Sequence, residues 1–304
     1  MPRYTLRQLE CFVAVAERGS IAAAAASLHL SASAVAGAVN ELERIFGAQL
    51  TVRRKAHGVA MTPSGSYVLD RARGLLHSAE DLSLHAADAG GELRGTLMLG
   101  CYMTLAPTVL ARLIDEYSRR YPLVDLDFFD GSQQEVQERL LSGRIDLAIA
   151  YDVSLPPGLE RLGLFDVTPS LVLAAGHPLA DRQEISLAEL ADEPMILLDV
   201  KPSRENTMMM YASAGIQPSI RFRTTDYEAT RSLVARGMGY AVLVQQPASA
   251  QSYEGRELVV RPIRQDISSV NVSLVWPAAV QSSQCARAMV ELAAELYADG
   301  VGAS

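Results

Sequence analysis

The chain has 304 residues, of which 49% are hydrophobic and 20% are charged, and its formal net charge is −8. This size and composition are those of an ordinary globular protein with room for two or three buried cores. No hydrophobic run approaches the roughly 18 residues that cross a bilayer, and charges interrupt the first 19 residues, so we expect no membrane segment, no signal peptide and a cytoplasmic location.

Three short helices are predicted at the N-terminus. Hydrophobic residues on one helical face indicate the first, namely Leu6, Leu9, Phe12, Val13 and Ala16. Ser20 can cap a second helix over residues 21–28, and Ser31 a third that ends at Gly47, with an apolar face of Val35, Val39, Leu42 and Phe46. The pair is typical of a helix-turn-helix, whose last helix enters the DNA major groove. The alternative is a three-helix core with no role in DNA binding.

The candidate DNA contacts begin on this third helix and continue beyond it. On the helix they are Ser31, Ser33, Ala34, Gly37 and Asn40. Two short extended pieces then surround a basic turn, which predicts a β-hairpin wing. Its cations can bind phosphates beside the groove, and they are Arg53, Arg54 and Lys55. The alternative is a solvated run of charges.

The charge balance of the chain favours DNA binding at this end only. Residues 1–60 hold seven Arg or Lys and four Glu, a net of +3, which leaves −11 for the rest of a chain whose total is −8. A basic end on an acidic body is suited to binding phosphate at one end and repelling it elsewhere.

A long helix is predicted from Thr62-Pro63 to Gly90-Gly91. Apolar residues follow it at alternating spacings of four and three, namely Val68, Ala72, Leu75, Ala79, Leu82, Ala86 and Ala89. Such a seam predicts dimerisation through this helix, and the alternative is packing against the chain's own C-terminal part. Gly90-Gly91 is predicted to act as a hinge.

From residue 92 onward the sequence alternates between strands and helices. Strands are predicted at 96–100, 124–129, 146–150, 170–175, 195–198, 219–223, 240–244 and 270–276, and helices near 105–121, 133–142, 204–214, 226–236 and 281–299. This alternation predicts parallel sheets of α/β type, and about 210 residues favour two lobes with a cleft between them.

The order of these parts resembles the LysR-type transcriptional regulators. The similar residues in the head are Leu6–Leu9, Phe12–Ala14, Gly19-Ser20, Ala24-Ala25, Leu28, Asn40–Glu43, Gly47, Leu50, Arg53 and Thr62–Gly65. Those in the body are Leu140–Gly143, Ile145–Ile149, His177–Leu179 and Gly237–Tyr240.

The resemblance covers the whole chain and implies its division into domains. It implies a winged helix-turn-helix over 1–62, a linker helix over 63–91, and a two-lobed effector domain over 92–304 that is similar to periplasmic binding proteins. Lobe 1 would hold 92–164 and 268–304, and lobe 2 would hold 165–267, with crossovers near 163–167 and 266–269.

The resemblance also implies the partners. These are promoter DNA, a small effector between the lobes, other copies of the chain as a dimer and tetramer, and RNA polymerase. An effector that changes lobe closure would act through the linker helix on the DNA-binding heads.

The recognition helix departs from the family pattern. Ala32-Ser33 stand where members usually carry Gln-Pro, and Ala36-Gly37 stand where they carry Ser-Arg. Arginine there can discriminate guanine by roughly 1–3 kcal/mol, whereas alanine and glycine offer almost nothing to a base edge. We therefore expect thin direct readout, supplemented by the wing and by DNA shape.

Effectors in such lobes bind outside the carboxyl ends of strands, where helices begin. The candidate effector-binding residues at these junctions suit a polar or anionic molecule, and each has an ordinary alternative role as a helix cap or packing residue. They are Tyr102, Met103, Thr104, Ser132, Tyr151, Asp199, Lys201, Ser203, Arg204, Thr225 and Tyr227. Among them, Lys201 and Arg204 are expected to pair with a carboxylate.

Two other functional classes are considered for this chain, an α/β enzyme and a redox-responsive regulator. An α/β enzyme is disfavoured, because four of the five histidines precede residue 92 and no nucleophile or phosphate-binding motif follows a strand. A redox-responsive regulator would depend on Cys101 alone, since residues 165–267 contain no cysteine. The three cysteines match no ligand spacing, so no metal or other cofactor is predicted.

Overall fold

The computed structural model describes residues 3–54, 58–87, 92–245, 247, 249–277 and 283–298, and the side chains of these residues except 53–54, 77–78 and 80–87. Its N-terminal part contains helices α1 (Leu6–Arg18), α2 (Ile21–Ser27) and α3 (Ala32–Phe46). The hydroxyls of Ser20 and Ser31 accept hydrogen bonds from the third backbone N–H after each. Gly47 ends α3 with a φ of 63°, a left-handed conformation that favours glycine.

The wing packs closely against the helices. Strands β1 (Thr51–Arg54) and β2 (Gly58–Met61) pair in antiparallel register. The N–H of Val59 donates to the carbonyl of Gly19 at 2.7 Å. A Cβ on Gly58 would lie 2.2 Å from that same oxygen, so only glycine fits. Lys55 lies outside the described residues, as do the side chains of Arg53 and Arg54.

The linker helix α4 spans Pro63–Ala87. The predicted seam is wrong in its first turns, because Ala72 is buried and Val68 partly buried in the hydrophobic core of the head. Leu75, the next residue of the predicted seam, is exposed to solvent, and so is Tyr67. Beyond Ala79 the structure describes no further side chain of the predicted seam. Ala89 and the predicted hinge, Gly90-Gly91, lie outside the described residues.

Residues 95–277 form the strands of the effector domain. These are β3 (Gly95–Tyr102), β4 (Val124–Gly131), β5 (Leu147–Tyr151), β6 (Leu159–Val167), β7 (Ser170–Ala174), β8 (Pro194–Leu198), β9 (Ser219–Thr224), β10 (Ala241–Leu243), β11 (Leu258–Pro262) and β12 (Val270–Pro277). The helices are α5 (Ala111–Arg120), α6 (Gln133–Leu141), α7 (Ser203–Ser213), α8 (Tyr227–Ala235) and α9 (Gln284–Leu296). A π-helical turn, Ala106–Leu110, leads into α5, where one continuous helix is predicted.

The strands form mixed sheets. One sheet has the order β4-β3-β5-β12-β6, and β12 runs antiparallel to both of its neighbours. The others are the antiparallel sheet β10-β7-β11 and the parallel pair β8-β9. We call the parts around the first sheet lobe 1 and those around the others lobe 2. The prediction of parallel sheets is therefore only partly correct.

Two strands, β6 and β11, are missing from the sequence prediction. The predicted crossover at 163–167 lies inside β6, which pairs with β12 as far as Val167. Its sequence, LERLGLFDV, does not alternate between polar and apolar residues, so only the partner strand defines it.

A single hydrophobic cluster joins the two lobes. It includes Leu99 and Ile149 of lobe 1 and Val172 and Leu243 of lobe 2, all buried. The lobes are therefore packed against each other, which positions the ends of their strands face to face.

The linker helix also contacts lobe 1. A Cβ on Gly143, in the turn between α6 and β5, would lie 3.4 Å from the backbone oxygen of Asp70. One turn along α4, the buried side chain of Arg73 pairs with Glu17 of α1 at 3.2 Å. Head, linker and lobe 1 therefore meet at this turn.

No single described helix is long and apolar enough to cross a membrane. The helices α2 and α3 pass that test only as a pair, and they are bent by 110° relative to each other.

Candidate functional site

The outer face of α3 carries mostly small side chains. Val35, Val39 and Leu42 are buried against the head, whereas Ser33, Ala34, Gly37 and Asn40 are exposed on the opposite face. Ser31 is exposed too, but its hydroxyl accepts from the N–H of Ala34 at 3.1 Å and so caps the helix. The face is open, because a Cβ on Gly37 would meet no atom within 4 Å.

Glu43 fixes the wing to this helix. Its Oε1 accepts from the N–H of Leu50 and the N–H of Thr51, both at 2.8 Å, and from the hydroxyl of Thr51 at 3.0 Å. Sequence reasoning assigned Glu43 no role, since nothing in its spacing reveals contacts seven residues ahead. The carboxylate makes the wing and the recognition helix one rigid unit.

A network of hydrogen bonds spans the cleft between the lobes. Tyr102 and Ser203 share a hydrogen bond of 3.1 Å across it. The hydroxyl of Tyr151 accepts from Nε2 of Gln245 at 2.9 Å and lies 3.5 Å from the hydroxyl of Thr104. We call these five residues, Tyr102, Thr104, Tyr151, Ser203 and Gln245, the interlobe network. Tyr227 supports it by donating to the carbonyl of Gln245 at 2.6 Å.

The cleft is closed around this network. Its lining consists of Tyr151, Val153, Pro202, Ser203, Asn206, Val244 and Val270. The space between them that a water molecule can enter is about 10 Å³, which is room for one water at most. An effector larger than this requires the lobes or the tyrosine side chains to move.

Burial keeps the tyrosine hydroxyls of the network protonated. Loss of solvation raises the pKa of Tyr151 to about 12. Burial likewise raises the pKa of Tyr102, although its hydrogen bond with Ser203 opposes the shift, and burial raises the pKa of Tyr227. Because the ionised forms are disfavoured, these hydroxyls can donate hydrogen bonds throughout the neutral pH range.

The predicted charged residues all form ion pairs within the chain. Lys201 pairs with Glu205 at 3.1 Å and Arg204 with Asp199 at 3.0 Å, and Arg223 pairs with the second oxygen of Asp199 at 3.3 Å. None of these residues lines the closed cavity. The predicted carboxylate partners, Lys201 and Arg204, are thus occupied by carboxylates of the chain itself.

Met103, Ser132 and Thr225, which were also predicted, do not line the cavity. The N–H of Met103 donates to the carbonyl of Gly131 at 2.9 Å. Ser132 caps α6 together with Glu135, and Thr225 is exposed in the turn before α8. Ser132 therefore has the alternative role of a helix cap.

Three polar residues of the cleft are not among the predicted effector-binding residues. Gln245 belongs to the network, and Asn206 lines the cavity one turn into α7. Buried Gln133 donates to the carbonyl of Val153 at 2.7 Å and accepts from the N–H of Tyr151 at 3.2 Å, so it holds the end of β5. Only Gln133 had a sequence signal, its position directly after a strand.

Comparison with known proteins identifies both parts of the chain. Residues 6–66 match the family model described as "Bacterial regulatory helix-turn-helix protein, lysR family". Residues 90–298 match the model described as "LysR substrate binding domain". The chain belongs to the LysR family. It is accordingly a DNA-binding transcriptional regulator with an effector-binding domain, and not an enzyme.

Individual relatives match most of the chain. The HTH-type transcriptional regulator YvbU of Bacillus subtilis is 28% identical over 96% of this chain and 99% of its own. A hydrogen peroxide-inducible genes activator of Pectobacterium carotovorum is 29% identical over 78% of this chain and 79% of its own. The crystal structure of HinK from Pseudomonas aeruginosa is 34% identical, covers 96% of this chain and 98% of its own, and superimposes with a TM-score of 0.64.

LysR regulators bind DNA and small-molecule effectors and form oligomers. The matched ranges, 6–66 and 90–298, are the parts of this chain that correspond to the first two activities.

Proposed function

We propose that this regulator binds a small, neutral, hydrogen-bonding effector between its lobes. The observation that carries the proposal is the hydrogen bond between Tyr102 of lobe 1 and Ser203 of lobe 2, at the end of a network that includes Tyr151 and Gln245. An effector with hydroxyl or amide groups can replace these hydrogen bonds and so favour a different lobe arrangement.

The charge of the cleft favours a neutral effector over an anionic one. The described residues that line the cavity include no Lys or Arg. Lys201 and Arg204 are paired with Glu205 and Asp199. A carboxylate would therefore have to break an existing ion pair, whereas Ser203 and Asn206 can serve a neutral polar group directly.

We assign DNA binding to the exposed face of α3 and to the wing. Ser33, Ala34, Gly37 and Asn40 would face the base edges, and Asn40 can make two hydrogen bonds to adenine. Ser31 would act mainly by capping the helix. Arg53, Arg54 and Lys55 would bind the flanking phosphates. With Gly37 and Ala34 offering no polar group, most of the affinity would be electrostatic and salt-dependent.

Effector binding would influence the DNA-binding head through the linker helix. The turn at Gly143 packs on α4, and Arg73 of α4 pairs with Glu17 of α1. A change in lobe 1 is therefore transmitted to the head by contact. We further propose a cytoplasmic protein that dimerises through α4, assembles into tetramers and contacts RNA polymerase at its promoter.

The test is a thermal-shift screen of neutral polar metabolites against their carboxylate analogues. We expect a neutral compound to stabilise the wild type, and the stabilisation to disappear in Ser203→Trp, which fills the cleft. Ser213→Trp is the matched control, because Ser213 is exposed at the far end of the same helix. Equal stabilisation of Ser203→Trp, or a preference for carboxylates, would contradict the proposal. Footprinting of the adjoining promoter with and without the hit then measures its effect on DNA binding.

The similarity to hydrogen peroxide-inducible activators favours redox sensing as a second candidate. The structure gives it little support, because Cys101 is fully buried and burial raises the pKa of its thiol. The thiolate is the form that reacts with peroxide. We expect Cys101→Ala to leave the response of promoter binding to peroxide unchanged. A response that the wild type shows and this variant lacks would establish the redox role instead.

A further inference from the structure

A groove of about 830 Å³ lies between the two crossovers, apart from the closed cleft. Its walls are the two segments that join the lobes, which we call the crossovers: residues 165–170, from the end of β6 to the start of β7, and residues 262–267, which follow β11. Thr108, Val244 and Gln245 complete the lining. Its volume is within the range of roughly 300–1,000 Å³ typical of small-molecule sites. A ligand in this groove would contact both connections between the lobes.

The groove combines apolar walls with unneutralised negative charge. Val167, Pro169, Ile263 and Ile267 supply apolar surface. Asp166 and Asp266 are exposed on opposite crossovers, and among the described residues no Lys or Arg pairs with either. Asp166 accepts one hydrogen bond, from Asn271 at 3.0 Å.

Among the described residues of the lining, the one cation is already neutralised. Arg264 pairs with Glu184 at 3.0 Å and with Glu189 at 3.4 Å, both outside the groove. The two aspartates therefore set the sign of the field inside it, and that field favours a cation. No group of three or more His, Cys, Asp or Glu among the described residues is placed to hold a metal ion. An organic cation fits these walls better than a metal does.

Gln245 connects the groove with the effector cleft. Its side chain is buried, and its Nε2 donates to the hydroxyl of Tyr151, which lines the cleft. Its Oε1 accepts from the hydroxyl of Thr108, a groove residue, at 3.4 Å. Val244 lines both cavities. A ligand in the groove thus contacts a member of the interlobe network from the side opposite to the cleft.

We propose that the crossover groove is a second ligand site, which binds a primary amine carried on an apolar body. The ammonium group pairs with Asp166 and Asp266, and the apolar body packs on Val167 and Ile263. Binding to both crossovers at once restrains the lobes in their closed arrangement. This site is separate from the effector cleft and does not depend on what the cleft binds.

The test is titration of the full-length protein with phenethylamine, followed by calorimetry. The neutral 2-phenylethanol and the anionic phenylacetate keep the ring and change only the charged group. We expect phenethylamine to bind, and both analogues to bind more weakly by up to about fivefold for each exposed ion pair that is lost. The double variant Asp166→Asn/Asp266→Asn is expected to weaken phenethylamine binding by a similar factor. Thr168→Trp, which fills the groove without changing its charge, is expected to abolish binding.

Two controls locate the site. Asp192→Asn removes the same charge from an exposed position of lobe 2 outside the groove and is expected to leave binding unchanged. Asn206→Ala changes a residue of the effector cleft without filling it and is also expected to leave binding unchanged, so failure of the cleft proposal is seen separately. The inference is overturned if phenethylamine does not bind at about 10 mM, if 2-phenylethanol binds equally well, if Thr168→Trp still binds, or if only Asn206→Ala removes binding.

Discussion

Gly37 and Gly47 differ only in backbone conformation, and their substitution separates two effects of glycine. A Cβ added at either glycine would meet no other atom within 4 Å. The backbones differ, because Gly47 has a φ of 63° whereas Gly37 lies inside α3. We expect Gly37→Ala to raise the free energy of unfolding by about 0.5–1 kcal/mol. Gly47→Ala should lower it by roughly 1–2 kcal/mol. Urea denaturation of the two variants checks both signs, and a loss of stability in Gly37→Ala would show that this glycine has a packing role.

Tyr151 makes stability depend on alkaline pH. Its pKa is raised from about 10 in the unfolded chain to about 12 by burial, so the folded state holds the proton more tightly. The stabilisation is complete below pH 10 and is lost as the pH rises through 12, by up to about 2.7 kcal/mol. We expect Tyr151→Phe to unfold with a flatter dependence on pH over this interval. Tyr253→Phe, at an exposed ring, should keep the wild-type dependence in the same urea experiments.

The hydrogen bonds of Glu43 predict that this residue holds the wing in place on α3. Glu43→Ala removes an acceptor shared by three donors of the wing, so the wing should lose its fixed position on α3. We expect binding to fall about equally for specific and unrelated DNA, because in our proposal the wing contacts phosphates rather than bases. The matched control is Glu41→Ala, two residues earlier, where the carboxylate only pairs with exposed Arg44. A loss confined to the specific sequence would contradict this role, and electrophoretic mobility shifts measure both.

Short-range sequence signals were enough to predict the helices of the N-terminal head. They were not enough to predict every strand of the effector domain. Ser20, Ser31 and Gly47 act through neighbours within four residues, so their caps are readable in the sequence and the helices form where predicted. Strand β6 depends on pairing with β12, more than a hundred residues away. The same reason explains the site: Tyr102 and Ser203 stand at recognisable junctions, whereas Gln245 enters the network through contacts that no local pattern encodes.

The surface of α4 predicts how two copies of the whole molecule associate. Val68 and Ala72 are used by the head, so the free apolar side of the helix is that of Tyr67 and Leu75. We expect Leu75→Arg to halve the mass of the particle measured by light scattering. Leu141→Arg changes a leucine of similar exposure on α6 and should leave the mass unaltered. If the mass of Leu75→Arg were unchanged, the dimer contact would have to lie on another surface.

The closed cleft has a kinetic consequence for the complete regulator. Because the lobes leave room for one water at most between them, an effector can enter only the fraction of molecules that are open at a given moment. Its measured dissociation constant is then the intrinsic one divided by that fraction. At high effector concentration the rate of association no longer rises, because it is limited by the opening of the lobes. The speed of the transcriptional response to a sudden supply of effector would thus be set by the interlobe network and not by diffusion.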